Sequence, residues 1–274
     1  MGRAACLLVA GIPWTAAAEG RWASVEDAEI RPGVRTMVDG GGQCTTNFIY
    51  TDDSGERVFI GVSAHCVAKE EGERGCETES RELGTEVAIE GASEPGQLAY
   101  SSWEAMSRTN EQDETVCQFN DFALIEIDET DHDRVNPTVP FYGGPEGMNT
   151  HGTEVYTQVF SYGSSKLRLG IEALSPKHGA SLGTESAGWS HAVYTLTPGV
   201  PGDSGSAFLD NEGAALGSLS TLALAPLPAS NNVTDLRNAL TYAREHGAID
   251  VKLVDGTEPF DPPPLPFDPS ALPF

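Results

Sequence analysis

Positive charge is scarce in this sequence. Against 41 Asp and Glu residues stand 16 Lys and Arg, a formal net charge of -25 at pH 7. A nucleic-acid-binding surface needs cationic side chains to displace the counterions of the phosphates, so that class of function ranks last. The acid gathers in loops such as residues 69–82 (KEEGERGCETESRE) and 111–114 (EQDE), the pattern of a solvated surface rather than of a site for cationic substrates. Long apolar runs are also missing, and no segment reaches the length that crosses a bilayer. There is no C-x-x-C pair, no H-E-x-x-H and no repeat of fixed period, so neither a metal site nor a solenoid is indicated, and no cofactor is expected.

Glycine and proline, in contrast, are plentiful at 30 and 18 of 274 residues. They separate short runs that read as strands: VRTMV from Val34, TNFIY from Thr46, VFIGV at 58–62, EVAIE at 86–90 and ALIEI at 123–127. Residues 133–150, with Pro137, Pro140, Pro145 and several glycines, read as a connection between two halves. Strand-like runs resume at EVYTQVF, KLRLGIEA, AVYTL, SAFL and AALGSLSTL. Many short strands with frequent turns point to all-β sandwiches or barrels. One segment differs. In VTDLRNALTYAREHG, Leu236, Ala239, Leu240 and Ala243 follow helical spacing, with Thr234 expected as N-cap and Gly247 just past the end. Beyond it, residues 248–274 form a proline-rich tail whose end, GTEPFDPPPLPFDPSALPF, lacks periodicity and is expected to be disordered or polyproline-like.

The first eighteen residues have their own character. Arg3 precedes the apolar ACLLVAGI, Pro13 breaks it, and Ala16 and Ala18 fit a small-x-small cleavage site, so residues 1–18 are expected to be a secretory signal and residues 19–33 a lead-in. Cys6 would leave with the signal. The remaining Cys44, Cys66, Cys76 and Cys117 are an even set in an exported chain, which reads as two disulfides with three pairings open. The mature protein is expected to be secreted, monomeric and not inserted in a membrane.

The stretch richest in chemistry is PGVPGDSGSAF, residues 198–208. A serine hydroxyl is a weak nucleophile. It needs a base within hydrogen-bond reach, a group that holds the base in the right tautomer, and N–H donors for the oxyanion that develops. Of six histidines, His65 stands apart: it follows the apolar VFIGV directly, in SAHC, beside a cysteine able to pin it. For the carboxylate, Asp121 in NDFALIEI sits at the mouth of a strongly apolar strand. Taken singly, such a histidine is more often structural and such an aspartate more often a turn residue.

Together, CTTNF at 44–48, SAHC at 63–66, NDFALIEI at 120–127 and PGDSGSAF at 201–208 resemble the motifs of the chymotrypsin-like serine proteases, in that family's order of His, Asp, Ser. An α/β-hydrolase would run Ser, acid, His, and its G-x-S-x-G elbow fails because position 206 is Ser. The resemblance spans residues 34–247, looks nearest to secreted bacterial members, and implies two six-stranded antiparallel β-barrels packed together, joined at about 133–150, with a C-terminal α-helix. It implies that Ser204 is the nucleophile, His65 the general base and acid, and Asp121 the carboxylate that orients the imidazole. It assigns the oxyanion hole to the N–H groups of Gly202 and Ser204. Cys44 is implied to bridge Cys66, which leaves Cys76 with Cys117. Ser220 matches the serine that supports the catalytic aspartate, and Ser220, Thr221 and Leu222 the strand that pairs with substrate backbone. Pro198 matches the floor of the primary specificity pocket.

Some features depart from the pattern. The second glycine after the nucleophile is Ser206, and no Ile-Val-Gly-Gly segment is present to supply an amine to Asp203. Another cation must serve Asp203, and Arg168 is the candidate. No acid lies between 192 and 200, so a neutral or apolar P1 residue is expected. The implied activity is hydrolysis of protein or peptide substrates by a secreted serine endopeptidase. The alternative is a catalytically silent binding or adhesion protein on the same fold.

Overall fold

A computed structural model of the chain describes residues 20–70, 72, 74–223 and 229–264. The expected signal sequence with Cys6, and residues 265–274 of the tail, lie outside them. Before the Pro- and Gly-rich connection come β1 (Arg35–Val38), β2 (Gln43–Thr45), β3 (Ile49–Thr51), β4 (Val58–Val62), β5 (Glu86–Ile89), β6 (Gly96–Ser101), α1 (Ser102–Thr109), α2 (Glu114–Phe119) and β7 (Ala123–Glu126). All five residues of β4, VFIGV, are buried, which requires cover on both faces. Accordingly β4 lies inside the sheet, antiparallel to β3 and β7, and its side chains enter a core with Phe48, Phe122 and Ile125.

After the connection come β8 (Gln158–Tyr162), β9 (Pro176–Glu185), β10 (Ser190–Thr195), β11 (Ala207–Leu209), β12 (Ala215–Ala223) and β13 (Ser230–Asp235). They close into a six-stranded barrel in the order β10-β13-β12-β11-β8-β9. Its interior is filled by Val159, Val193, Phe208, Leu216, Leu219 and Val233, none more than 3% exposed. Such closure leaves no unpaired sheet edge.

The first unit differs from the expected six-stranded barrel. It is a curled half-barrel whose eight strands run β14-β3-β4-β7-β6-β5-β1-β2, where β14 is Lys252–Leu253. The far edge of β2 is not free, because Thr45 N–H donates to the Ser204 carbonyl at 2.9 Å. One end of the sheet is thus occupied by the serine corner of the other unit.

Local structure departs from the sequence pattern in four places. KLRLGIEA, read as a strand, forms two short 3-10 turns, Lys166–Arg168 and Glu172–Leu174, with Leu167 and Leu169 facing solvent at 65% and 85% exposure. The polar segment before ALIEI contains α1 and α2, joined through the Cys76–Cys117 disulfide to the loop before them. The C-terminal helix α3 spans Leu236–His246, and its N-cap is Asp235, whose side chain accepts from Asn238 N–H at 2.7 Å. Thr234 instead belongs to β13 and donates to the Phe119 carbonyl at 3.0 Å. Finally, the proline-rich tail is built into the fold as far as Asp261. Strand β14 pairs with β3, Asp261 N–H donates to the Tyr142 carbonyl at 2.8 Å, and the Phe260 ring meets Phe160 of the barrel edge-on at 5.1 Å. The proline-free stretch before Pro259 supplies the donors of β14, Asp261 between two prolines supplies the other, and one segment thereby clips both units.

Candidate active site

The end of β4 turns at Ser63 into a 3-10 turn, Ala64–Val67, that carries His65. A disulfide from Cys66 to Cys44, next to β1 in the sheet, fixes that turn. His65 Nδ1–H donates to Asp121 Oδ2 at 2.7 Å, and the His65 backbone N–H donates to Asp121 Oδ1 at 2.9 Å. Ser220 Oγ–H completes the set on Oδ2 at 2.6 Å. An imidazole held in this way keeps its proton on Nδ1 and leaves Nε2 available to accept another.

Each partner is aimed by local structure. Ser220 is the extra residue of a β-bulge: Leu219 pairs with Val233 and Thr221 with Asn232, so Ser220 stands outside the ladder and its side chain is free to turn to Asp121. The loop at Asp121 is pinned by Ser102, the first residue of α1. Its hydroxyl donates to the Asn120 carbonyl at 2.8 Å and accepts from Phe122 N–H at 3.1 Å, gripping the chain on both sides of the carboxylate.

Ser204 lies in a corner stitched to the same elements. The carbonyl of Leu219 accepts from Gly205 N–H at 2.7 Å and from Ser63 Oγ at 2.9 Å, while the next residue is Ser220. One peptide of β12 therefore joins the serine corner, the histidine turn and the aspartate. Gly205 has φ +88, and a Cβ there would lie 2.4 Å from the Thr45 carbonyl oxygen and 3.0 Å from Ser63 N. Both the backbone conformation and the space demand glycine. At Gly202, φ is +95, and the preceding Pro201 carbonyl is turned away to accept from Ser165 Oγ at 2.6 Å. In a trans peptide the N–H of Gly202 then points the opposite way. Among the described residues, neither Gly202 N–H nor Ser204 N–H has an acceptor, which leaves two donors at the corner.

No family model and no curated protein matches the sequence. Solved structures do. Protease A of Thermobifida fusca superposes with a TM-score of 0.52 at 16% identity, over 83% of this chain and 99% of that one. A glutamic acid specific serine protease, described as using a histidine triad in substrate binding, superposes with a TM-score of 0.51 at 16% identity, over 82% of this chain and all of that one. This chain has the chymotrypsin-like fold of bacterial serine proteases.

Within this protease fold, charge is arranged to keep the site's groups distinct. Burial alone would lower the His65 pKa, but the Asp121 charge and hydrogen bond outweigh it and hold the imidazole above its ordinary value. Burial likewise opposes ionisation of Asp121, and His65 with Ser220 overcomes it, so the carboxyl stays below its usual range. Behind the corner, fully buried Asp203 pairs with Arg168 and lies 3.3 Å from Lys177 Nζ, also fully buried. Asp203 further accepts from Ser165 N–H at 3.0 Å and Val200 N–H at 3.1 Å. Arg168 is the cation named from the sequence. Lys177 was missed, because a lone lysine in PKHG carries no local signal that it is buried.

The other site residues also have defined places. Pro198 is half-buried and its carbonyl accepts from Arg168 Nη2 at 3.0 Å. Thr221 and Leu222 are exposed and border a hollow of about 260 Å³ that also touches Phe119 and Asn232. Ser206, the departure from glycine, is fully buried, and its hydroxyl meets Ser161 Oγ at 3.4 Å. Sequence reasoning also missed Gln43, whose Nε2 donates to the Gly202 carbonyl at 3.0 Å while Oε1 accepts from Lys166 N–H at 2.9 Å. A cleft of about 500 Å³ between residues 31–35 and 164–172 is lined by none of His65, Asp121 and Ser204.

Proposed function

We propose that this chain is a secreted serine endopeptidase, with its catalytic unit at residues 34–247, that hydrolyses peptide bonds in proteins or peptides through an acyl-enzyme. Ser204 Oγ gives its proton to His65 Nε2 as it attacks the substrate carbonyl. The oxyanion forms against the N–H groups of Gly202 and Ser204, where losing one donor typically costs about two to three orders of magnitude in rate. Asp121 balances the transient imidazolium, which then protonates the leaving amine. Water repeats the sequence on the acyl-enzyme, with His65 again as base, and frees Ser204.

The observation that carries this reading is the junction at Leu219 and Ser220, where one peptide binds the corner of Ser204, the turn of His65 and the carboxylate of Asp121. Secretion is supported by two disulfides, and among the described residues no helix is long and apolar enough to cross a membrane. The test is reaction of the purified mature protein with a fluorophosphonate probe, followed by peptide mapping. Labelling is expected at Ser204 and is expected to vanish in Ser204→Ala. Folded, disulfide-intact protein that takes no label would instead be a binding protein on a protease fold.

A further inference from the structure

On the protease reading a substrate's acyl residue would lie between two segments at the serine corner: residues 198–200, which lead into it, and the stretch of β12 from Leu219 to Leu222, whose first carbonyl holds Gly205 N–H at 2.7 Å. The space between these walls is filled. Asn231 of β13 stands in register opposite Leu222 and is 1% exposed. Its Oδ1 accepts from Gly199 N–H on one wall at 3.0 Å, and its Nδ2 donates to the Thr221 carbonyl on the other at 3.3 Å. Beside it, Leu219 is 3% exposed. A Cβ at Gly199 would come within 2.9 Å of both Asn231 Nδ2 and Leu219 Cδ2, so the two side chains already reach the backbone of the far wall.

We propose that Asn231 is a specificity-determining residue that closes the P1 site at shallow depth and restricts it to small uncharged side chains, alanine above all. The inference rests on the protease reading and narrows the expected neutral or apolar P1 residue to a small one. A long or aromatic side chain would have to displace an amide that makes two hydrogen bonds, leaving Gly199 N–H buried without a partner. An acidic one would find Arg168, behind Pro198, already paired with Asp203.

The experiment uses tetrapeptide p-nitroanilides that differ only at P1 (Ala, Leu, Phe, Glu, Lys), with rates expressed per fluorophosphonate-labelled site. The wild-type protein is expected to favour Ala over Phe by roughly tenfold or more, a margin in reach of pocket-size discrimination. Asn231→Gly and Asn231→Ala are expected to lower that ratio about tenfold by admitting Leu and Phe. Wild-type protein that labels normally yet prefers Phe, Leu, Glu or Lys overturns the proposal, as does an unchanged ratio in labelled variants. Should neither variant label, the wild-type profile decides alone, Ala first sustaining the proposal and any other order overturning it. Wild-type protein that does not label removes the protease reading itself and this inference with it.

Discussion

Two buried aspartates sit on either side of the serine corner, and they are neutralised in different ways. Asp121 is held by hydrogen bonds from His65 and Ser220. Among the described residues its cationic partner is His65, and only once the imidazole takes a proton. Asp203, in contrast, is paired with Arg168, faces Lys177 and never lacks a cation. A carboxylate left short of positive charge attracts a proton to the neighbouring ring, whereas one already neutralised is a fixed post on which a loop is hung. The first arrangement suits proton transfer and the second suits holding Gly202 and Ser204 in place.

The difference can be broken most severely at Asp121. Asp121→Asn is expected to lower kcat by about four orders of magnitude, because an amide no longer enforces the tautomer. Steady-state kinetics on a P1-alanine peptide measures it. In the wild type the activity should rise with pH through a midpoint above the ordinary histidine value of 6.5, since the base must be neutral and Asp121 holds its pKa up. A midpoint at or below 6.5 would remove the electrostatic role given to Asp121.

Asp203→Asn comes next in size. It leaves Arg168 and Lys177 buried without a counter-charge and is expected to destabilise the fold by about 3 kcal/mol, read from the urea midpoint. A variant as stable as wild type would mean that the corner does not hang on Asp203.

The smallest effect is expected at Lys177. Burial pushes its pKa down to about 8 against the pull of Asp203, with Arg168 adding to the lowering. Between about 8 and the unfolded value of 10.5 the unfolded chain therefore binds more protons, and this group's contribution to stability rises with pH across that window. Lys177→Met is expected to cost less than about 1 kcal/mol at pH 7, because Arg168 still serves Asp203, and to remove that alkaline gain. Urea melts at pH 7.5 and pH 10 of both proteins measure it, and a large loss at neutral pH would make Lys177, not Arg168, the main partner.

The triad candidates were legible because each stands where a local pattern ends: His65 after VFIGV, Asp121 before ALIEI, and Ser204 between two glycines that punctuate a turn. The elements that hold them were far less so. Helix α1 escaped notice because SWEAMSRT is short and mostly polar, although Ser102 at its start grips the Asp121 loop. In KLRLGIEA, apolar residues alternate as in a strand, yet Leu167 and Leu169 have no sheet to face and the segment turns instead. Strand β9, PKHGASLGTE, holds a proline, two glycines and no regular alternation, and it is a strand because β8 and β10 supply its partners on both sides.

Local sequence carries the inventory: a serine between glycines, a histidine and an aspartate at strand ends, four cysteines besides Cys6, and hydrophobic runs short enough to make strands. Those are local properties, set by backbone sterics, side-chain chemistry and period-2 burial. Long-range packing alone brings Leu219's carbonyl to three distant segments, buries Lys177 beside Asp203 and sets Asn231 across two walls. These outcomes depend on the register of strands far apart in the chain. A slip of one residue would turn Asn231 or Ser220 to the opposite face without altering any local pattern.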